Sequence, residues 1–247
     1  MMDDSKAAGT FRGQTRVKIC GITNLEDGRL AVEAGADYLG FIFYPPSKRS
    51  LTVENAQEIV DELRLRPDLP LLVGVFVNET GSAMAQVLDA CGLDLAQLSG
   101  DETPNLVGDS RSPIFGRCYK ALRPATLDEA EVESEWYLPT QLINGQPALL
   151  IDTKHATLYG GTGQTADWTI AARLAHNIPK LMLAGGLNPE NVAAAVRQVG
   201  PFAVDVASGV EARPGKKDPQ LLRSFIAKTK GARPGAEAGS QLPPLKP

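Results

Sequence analysis

KLMLAGGLNPENVAAAVRQVGPFAVDVASGV, residues 180–210, holds two short apolar runs separated by a segment with helical spacing. KLMLA (180–184) and FAVDVA (202–207) are apolar almost throughout, as strands covered on both faces are. Apolar residues recur at helical spacing over 189–199, so the whole reads as one parallel βαβ unit. Each strand is followed by glycine: Gly185-Gly186 after the first and Ser208-Gly209 after the second. A single glycine pair would be read as a turn. Two such pairs on neighbouring strand ends can bring bare backbone N–H groups to one anion, with a short helix starting at Ser208. In a barrel of eight strands, the ends of the last two are the common phosphate position.

The same unit recurs along the rest of the chain. Strand-like runs fall at 17–20 (VKIC), 37–43 (DYLGFIF), 71–77 (LLVGVFV), 93–98 (LDLAQL), 117–122 (RCYKAL) and 148–152 (ALLID), which with the two above makes eight. Helices are expected at 25–34, 53–63, 80–90, 127–135, 169–176, 189–199 and 219–230. Asn188-Pro189 and Asp218-Pro219 each set a capping residue before proline at the first helical position. Eight βα units in 247 residues fit an α/β architecture of one domain, a closed (β/α)8 barrel. The open doubly wound sheet repeats the same unit and is the runner-up. The barrel is expected over residues 15–230. Residues 1–14 and the Gly/Pro/Ala-rich 231–247 have no apolar period to offset ordering entropy, and both are expected to be disordered.

Composition narrows the function classes. Hydrophobic residues make up 43% and charged residues 22%, values of a folded globular chain. A net charge of -4 offers no broad cationic surface, which argues against a nucleic-acid binder. Cys20, Cys91 and Cys118 are odd in number and lack C-x-x-C spacing, so neither a disulfide framework nor a sulfur-ligated zinc site is indicated, and a reducing cytoplasm fits. The first 14 residues are polar and acidic where a signal peptide needs a basic start and an apolar core, and no apolar run reaches membrane-spanning length. With His155 and His176 the only histidines, neither a histidine metal site nor a serine–histidine triad has material, and no metal or cofactor is expected.

Residues that end barrel strands line the active site. Cys20 ends the first strand and Asp152 the sixth. Alone, Cys20 would be read as a small buried hydrophobe and Asp152 as a loop cap. At one mouth they make a base and an acid. At pH 7 an unperturbed thiol is a few per cent ionised and an unperturbed Asp roughly 0.1% protonated. Holding both in the reactive form costs roughly 6 kcal/mol, which burial of Asp152 and N–H donors near Cys20 would reduce. Lys48 and Arg49 follow the second strand in YPPSKRSL (44–51). Such a pair is usually a solvated patch, while the Arg49 fork would suit a carboxylate.

VKICGIT (17–23), GADYLGFIFYPPSKRSLT (35–52), VGVFVNE (73–79), LLIDT (149–153) with YGGTGQTADW (159–168), LAGGLNPENV (183–192) and FAVDVASGVEARPGKKD (202–218) together resemble the phosphoribosylanthranilate isomerase family of tryptophan biosynthesis. The likeness spans about 17–230 in order and is poor around the fifth unit, 117–148. It implies a (β/α)8 barrel, a phosphosugar substrate and an Amadori rearrangement without cofactor. It puts the general base on Cys20, the general acid on Asp152 and recognition of the anthranilate carboxylate on Arg49. Phosphate ligation falls on Gly185, Gly186, Ser208 and Gly209, with the loop Gly160, Gly161, Thr162 and Gly163 closing beside it and Asp205 lining the same mouth. Relatives usually carry Q-L-H-G where this chain has Gln97-Leu98-Ser99-Gly100, leaving a hydroxyl in place of an imidazole. Neighbouring barrel families such as indole-glycerol-phosphate synthase resemble the phosphate end but place a carboxylate or lysine where Cys20 stands. A non-catalytic phosphosugar binder would not need both Cys20 and Asp152. The implied assembly is a monomer or homodimer with no membrane partner.

Overall fold

Eight parallel strands close on themselves in a computed structural model, which describes residues 13–153, 168–178, 180–233 and 235. They are β1 (Arg16–Cys20), β2 (Tyr38–Ile42), β3 (Leu71–Phe76), β4 (Leu95–Leu98), β5 (Cys118–Leu122), β6 (Leu149–Asp152), β7 (Leu181–Ala184) and β8 (Ala203–Val206). Closure is made by β8 against β1, with Val17 opposite Val204 and Lys18 opposite Asp205. That pairing removes both sheet edges and excludes the open doubly wound alternative.

Strand alternation divides the apolar residues between two clusters. Val17, Ile19, Leu39, Phe41, Leu181 and Leu183 point outward and pack with helix residues such as Ile59, Leu63 and Phe225. Tyr38, Val73, Leu95, Tyr119, Leu150 and Met182 point inward and fill the barrel. The inward register of β1 is therefore Arg16, Lys18 and Cys20, with Arg16 at the far end against Tyr38 and Phe202 and the ammonium and thiol toward the mouth.

The covering helices are α1 (Leu25–Glu33), α2 (Val53–Leu63), α3 (Gly81–Cys91), α4 (Asn105–Gly108), α5 (Leu127–Tyr137), α6 (Thr169–Asn177), α7 (Val192–Val199) and α8 (Pro219–Gly231). Side chains of Asn24, Thr52, Thr80, Thr126 and Asp218 accept backbone N–H groups at the starts of α1, α2, α3, α5 and α8. Asp218-Pro219 behaves as expected. At Asn188-Pro189 the side chain makes the same pair of bonds, Asn188 Oδ1 accepting from Glu190 N (2.9 Å) and Asn191 N (3.1 Å), but residues 189–191 form a turn and the regular helix α7 begins later, at Val192. α4 is a single turn, too short to leave a period in the sequence. A two-stranded hairpin, β9 (Glu211–Arg213) with β10 (Lys216–Lys217), follows β8 and was not expected either.

The far boundary of the barrel also moves. α8 includes Gly231, Ala232 is buried in the outer core, and Gly235 donates its N–H to the Arg197 carbonyl at 3.1 Å. The first residues assigned to the tail therefore belong to the fold. Most of that tail, and residues 1–12, lie outside the described residues.

Candidate active site

Cys20 closes β1 facing inward and is 5% exposed. Opposite it on β2 stands Gly40, where a Cβ would lie 2.9 Å from the Cys20 sulfur, so glycine is needed there to seat the thiol. Burial pushes the thiol above its ordinary pKa, while Lys18 and Lys217 pull it back and Asp205 adds to the rise. One layer below, Lys18 is fully buried and donates to Gln97 Oε1 (2.8 Å) and Asp205 Oδ1 (3.0 Å). Burial alone would lower Lys18, but Asp205, Cys20 and Tyr119 together outweigh it and hold the ammonium above its usual value. Tyr119 donates its hydroxyl to the same Gln97 oxygen at 3.0 Å, and Gln97 Nε2 donates to Ser99 Oγ at 3.1 Å. Ser99 thus ends a polar chain that begins at Lys18.

Asp152 ends β6 and pairs in register with Ala184 of β7. Arg123, just past β5, has its Nε 3.8 Å from Asp152 Oδ2 and donates from Nη1 to the Ser99 carbonyl at 3.0 Å. In barrel order β7 and β8 stand between β6 and β1, so their ends separate Asp152 from Cys20 along that arc of the rim. Gly185 and Gly186 take φ of 99° and 63°, left-handed values that favour glycine. Ser208 starts a 3-10 turn, Ser208–Val210, as read from the sequence. A Cβ on Gly209 would collide with the Leu187 carbonyl, so the β7 and β8 loops touch here and glycine is required for that approach. The structure therefore sets Gly209 against Leu187, the residue after Gly186. Gly160, Gly161, Thr162 and Gly163 lie outside the described residues.

Arg49 reaches the mouth across Gly21 and against Glu211. Its aliphatic stem crosses Gly21, whose φ is 73° and where a Cβ would come within 2.6 Å of Arg49 Cδ. Its Nε and Nη2 donate to Glu211 Oε1 (2.7 Å) and Oε2 (2.5 Å), so one edge of the fork is already filled. An external carboxylate can meet only the Nη1–Nη2 end. Glu211 also accepts from Lys217 Nζ at 3.1 Å, and that buried ammonium donates to the carbonyls of Cys20 (2.7 Å) and Ala207 (3.1 Å). The hairpin after β8 thus ties the ends of β1 and β8 to Arg49.

Lys18, Gln97, Arg123, Glu211 and Lys217 were not singled out from sequence. For Lys18 and Gln97 a signal existed, since a polar residue inside an otherwise apolar strand must face a partner. For Glu211 and Lys217 none did, because their hairpin has too few residues to show a period.

A closed barrel with a thiol, a carboxylate and paired glycine turns at the C-terminal ends of its strands has the architecture of a (β/α)8-barrel enzyme. Residues 17–228 match the family described as N-(5'-phosphoribosyl)anthranilate (PRA) isomerase, and the chain belongs to that family. The isomerase of Pelobacter propionicus is 45% identical over 218 residues, covering 88% of this chain and 97% of the relative. A crystal structure of phosphoribosyl anthranilate isomerase in complex with reduced 1-(o-carboxyphenylamino)-1-deoxyribulose 5-phosphate is 40% identical, with a TM-score of 0.73 over 88% of this chain and 99% of that one. The structure of monomers made from the dimeric Thermotoga maritima enzyme is 40% identical, with a TM-score of 0.72 and the same coverage. No helix among the described residues is long and apolar enough to cross a membrane.

Proposed function

We propose that this chain is the isomerase that converts N-(5-phosphoribosyl)anthranilate to 1-(2-carboxyphenylamino)-1-deoxyribulose 5-phosphate in tryptophan biosynthesis. The observation that carries the reading is the family match across the barrel together with a buried thiol at the end of β1 and a carboxylate at the end of β6. Asp152 donates its proton to the furanose ring oxygen as the C1–O bond breaks, and the aniline nitrogen supplies the electron pair that forms the iminium. That cation acidifies the C2–H. The Cys20 thiolate then takes the C2 proton, giving an enolamine that tautomerises to the ketone. No electron leaves the substrate, so the chemistry calls for no redox group.

Gly185, Gly186, Ser208 and Gly209 hold the phosphate, and Gly160, Gly161, Thr162 and Gly163, which lie outside the described residues, are assigned to substrate binding by the family motif. Arg49, through its outer end, holds the anthranilate carboxylate. Asp205 belongs to the same mouth, acting through Lys18. The enzyme works in the cytoplasm as a monomer or homodimer.

The test is loss of phosphoribosylanthranilate fluorescence on adding purified protein. Cys20→Ala and Asp152→Asn should each lower kcat by roughly 10²–10⁴-fold with KM little changed, since acid–base groups act mainly in the transition state. Near-normal turnover in either variant would remove that residue from the mechanism.

A further inference from the structure

We propose that Lys18 is a positioning residue for the base: its buried ammonium holds the Cys20 thiol ionisable, and Asp205 sets how strongly. The inference rests on Cys20 being the base and adds the group that makes a buried thiol usable.

Lys18 and Cys20 are two residues apart on β1, so both enter the barrel. One point locates them together, because a Cβ built on Gly40 would lie 2.9 Å from the Cys20 sulfur and 3.2 Å from Lys18 Cε. The ammonium one bond further on is fixed by Gln97 and Asp205, and Gln97 is fixed by Tyr119 and Ser99. Only one of its two acceptors is anionic. The lysine is fully buried and Asp205 nearly so, with 12% of its side chain exposed, so water screens little of the remaining field at the sulfur. An ammonium that served only as a brace would be a costly choice in this layer, where Tyr119 and Met182 show that apolar and aromatic packing is available.

Other groups also face the thiol. Lys217 of β10 donates to the Cys20 carbonyl and Arg49 arrives from the loop after β2, but Glu211 of β9 neutralises both in part. Tyr119 faces it from β5, and burial pushes that phenol well above its ordinary range, so it stays neutral. Arg16 shares the face but lies at the other end of β1, against Tyr38 and Phe202, which leaves Lys18 as the β1 cation beside the sulfur.

The experiment is alkylation of the intact protein by iodoacetamide from pH 6 to 10, read peptide by peptide, with Cys91 and Cys118 as internal controls. Lys18→Met keeps the length of the side chain and removes the charge. Lys18→Met/Asp205→Asn removes the whole pair, which a folded barrel tolerates better than a lone buried carboxylate. In Lys18→Met the Cys20 rate at pH 7.5 should fall tenfold or more, one pK unit or more, and recover as pH rises. The double variant should slow Cys20 in the same direction by a smaller factor, with both control cysteines unchanged. In parallel, the rising limb of kcat/KM should move to higher pH in Lys18→Met. A Cys20 rate within twofold of wild type, in either variant that melts cooperatively, overturns the proposal; if Lys18→Met does not fold, the double variant decides alone. Should Cys20→Ala stay active while the alkylation shift is seen, the base assignment fails and the electrostatic one stands. The reverse pattern sinks only the role of Lys18.

Discussion

At the scale of single residues, Arg49 is held before any substrate arrives. Glu211 grips its Nε–Nη2 edge and points the remaining end. Burial pushes the Glu211 carboxyl up, but Arg49 and Lys217 bring it below the ordinary glutamate value, so the grip persists at neutral pH. A lysine at position 49 has one point charge for two carboxylates and loses the fork. We expect Arg49→Lys to lower kcat/KM about 10- to 100-fold, mainly through KM, in line with roughly 1.5–3 kcal/mol for a hydrogen bond to a charged group. Inorganic phosphate should inhibit both forms equally if, as proposed, it binds at the glycine turns. Weakened phosphate inhibition with intact kcat/KM would put Arg49 at the phosphate end. The guanidinium type at this position was legible from sequence, but its occupied edge was not, since Glu211 lies 162 positions away in the chain.

At the scale of elements, Glu102 joins three parts of the mouth. Its carboxylate accepts the N–H groups of Asn78 (2.9 Å) and Gly100 (3.0 Å) from the loops after β3 and β4, and pairs with Lys120 of β5 at 2.7 Å. Its own carbonyl accepts the Tyr137 hydroxyl from α5. Asn78 takes a φ of 56°, the left-handed region, and this carboxylate helps to hold it there. The Lys120–Glu102 side chains are 5% and 1% exposed. Glu102→Ala leaves an ammonium buried without its counter-ion, so about 3–5 kcal/mol of stability should be lost, read from urea unfolding. A loss below 1 kcal/mol would mean that water replaces the carboxylate.

For the whole molecule, Glu102 and Glu211 give the acid side of the stability curve its sign. Burial raises each, and their cationic partners and hydrogen bonds bring both below the ordinary 4.5. Folded values below the unfolded value bind fewer protons in the native state, so these carboxylates contribute their full stability above about 4.5 and lose it as pH falls through the lowered values. The melting temperature should hold from pH 7 to 5 and fall below 4.5, and Glu102→Gln should flatten that fall. A melting temperature that stays level down to pH 3 would contradict this linkage.

Local pattern alone determined the eight barrel strands, seven of the eight α-helices among the described residues, the cap at Asp218-Pro219 and the strand ends Cys20, Asp152, Gly185-Gly186 and Ser208-Gly209. Each of these depends on neighbours within a few residues: alternation, helical spacing, a capping oxygen, a glycine free to take positive φ. α7 shows the limit, since Asn188 makes its capping bonds as the local pattern says but they close a turn, and the regular helix starts three residues later, at Val192. Tertiary structure decided which residues share the barrel interior. Lys18 meets Gln97 and Asp205, 79 and 187 positions away, and Lys217 meets Cys20 at 197, only because β8 closes on β1. Closure also takes these charges out of water, so a thiol and an ammonium that would ignore each other in an open chain act on one another through a low-dielectric core.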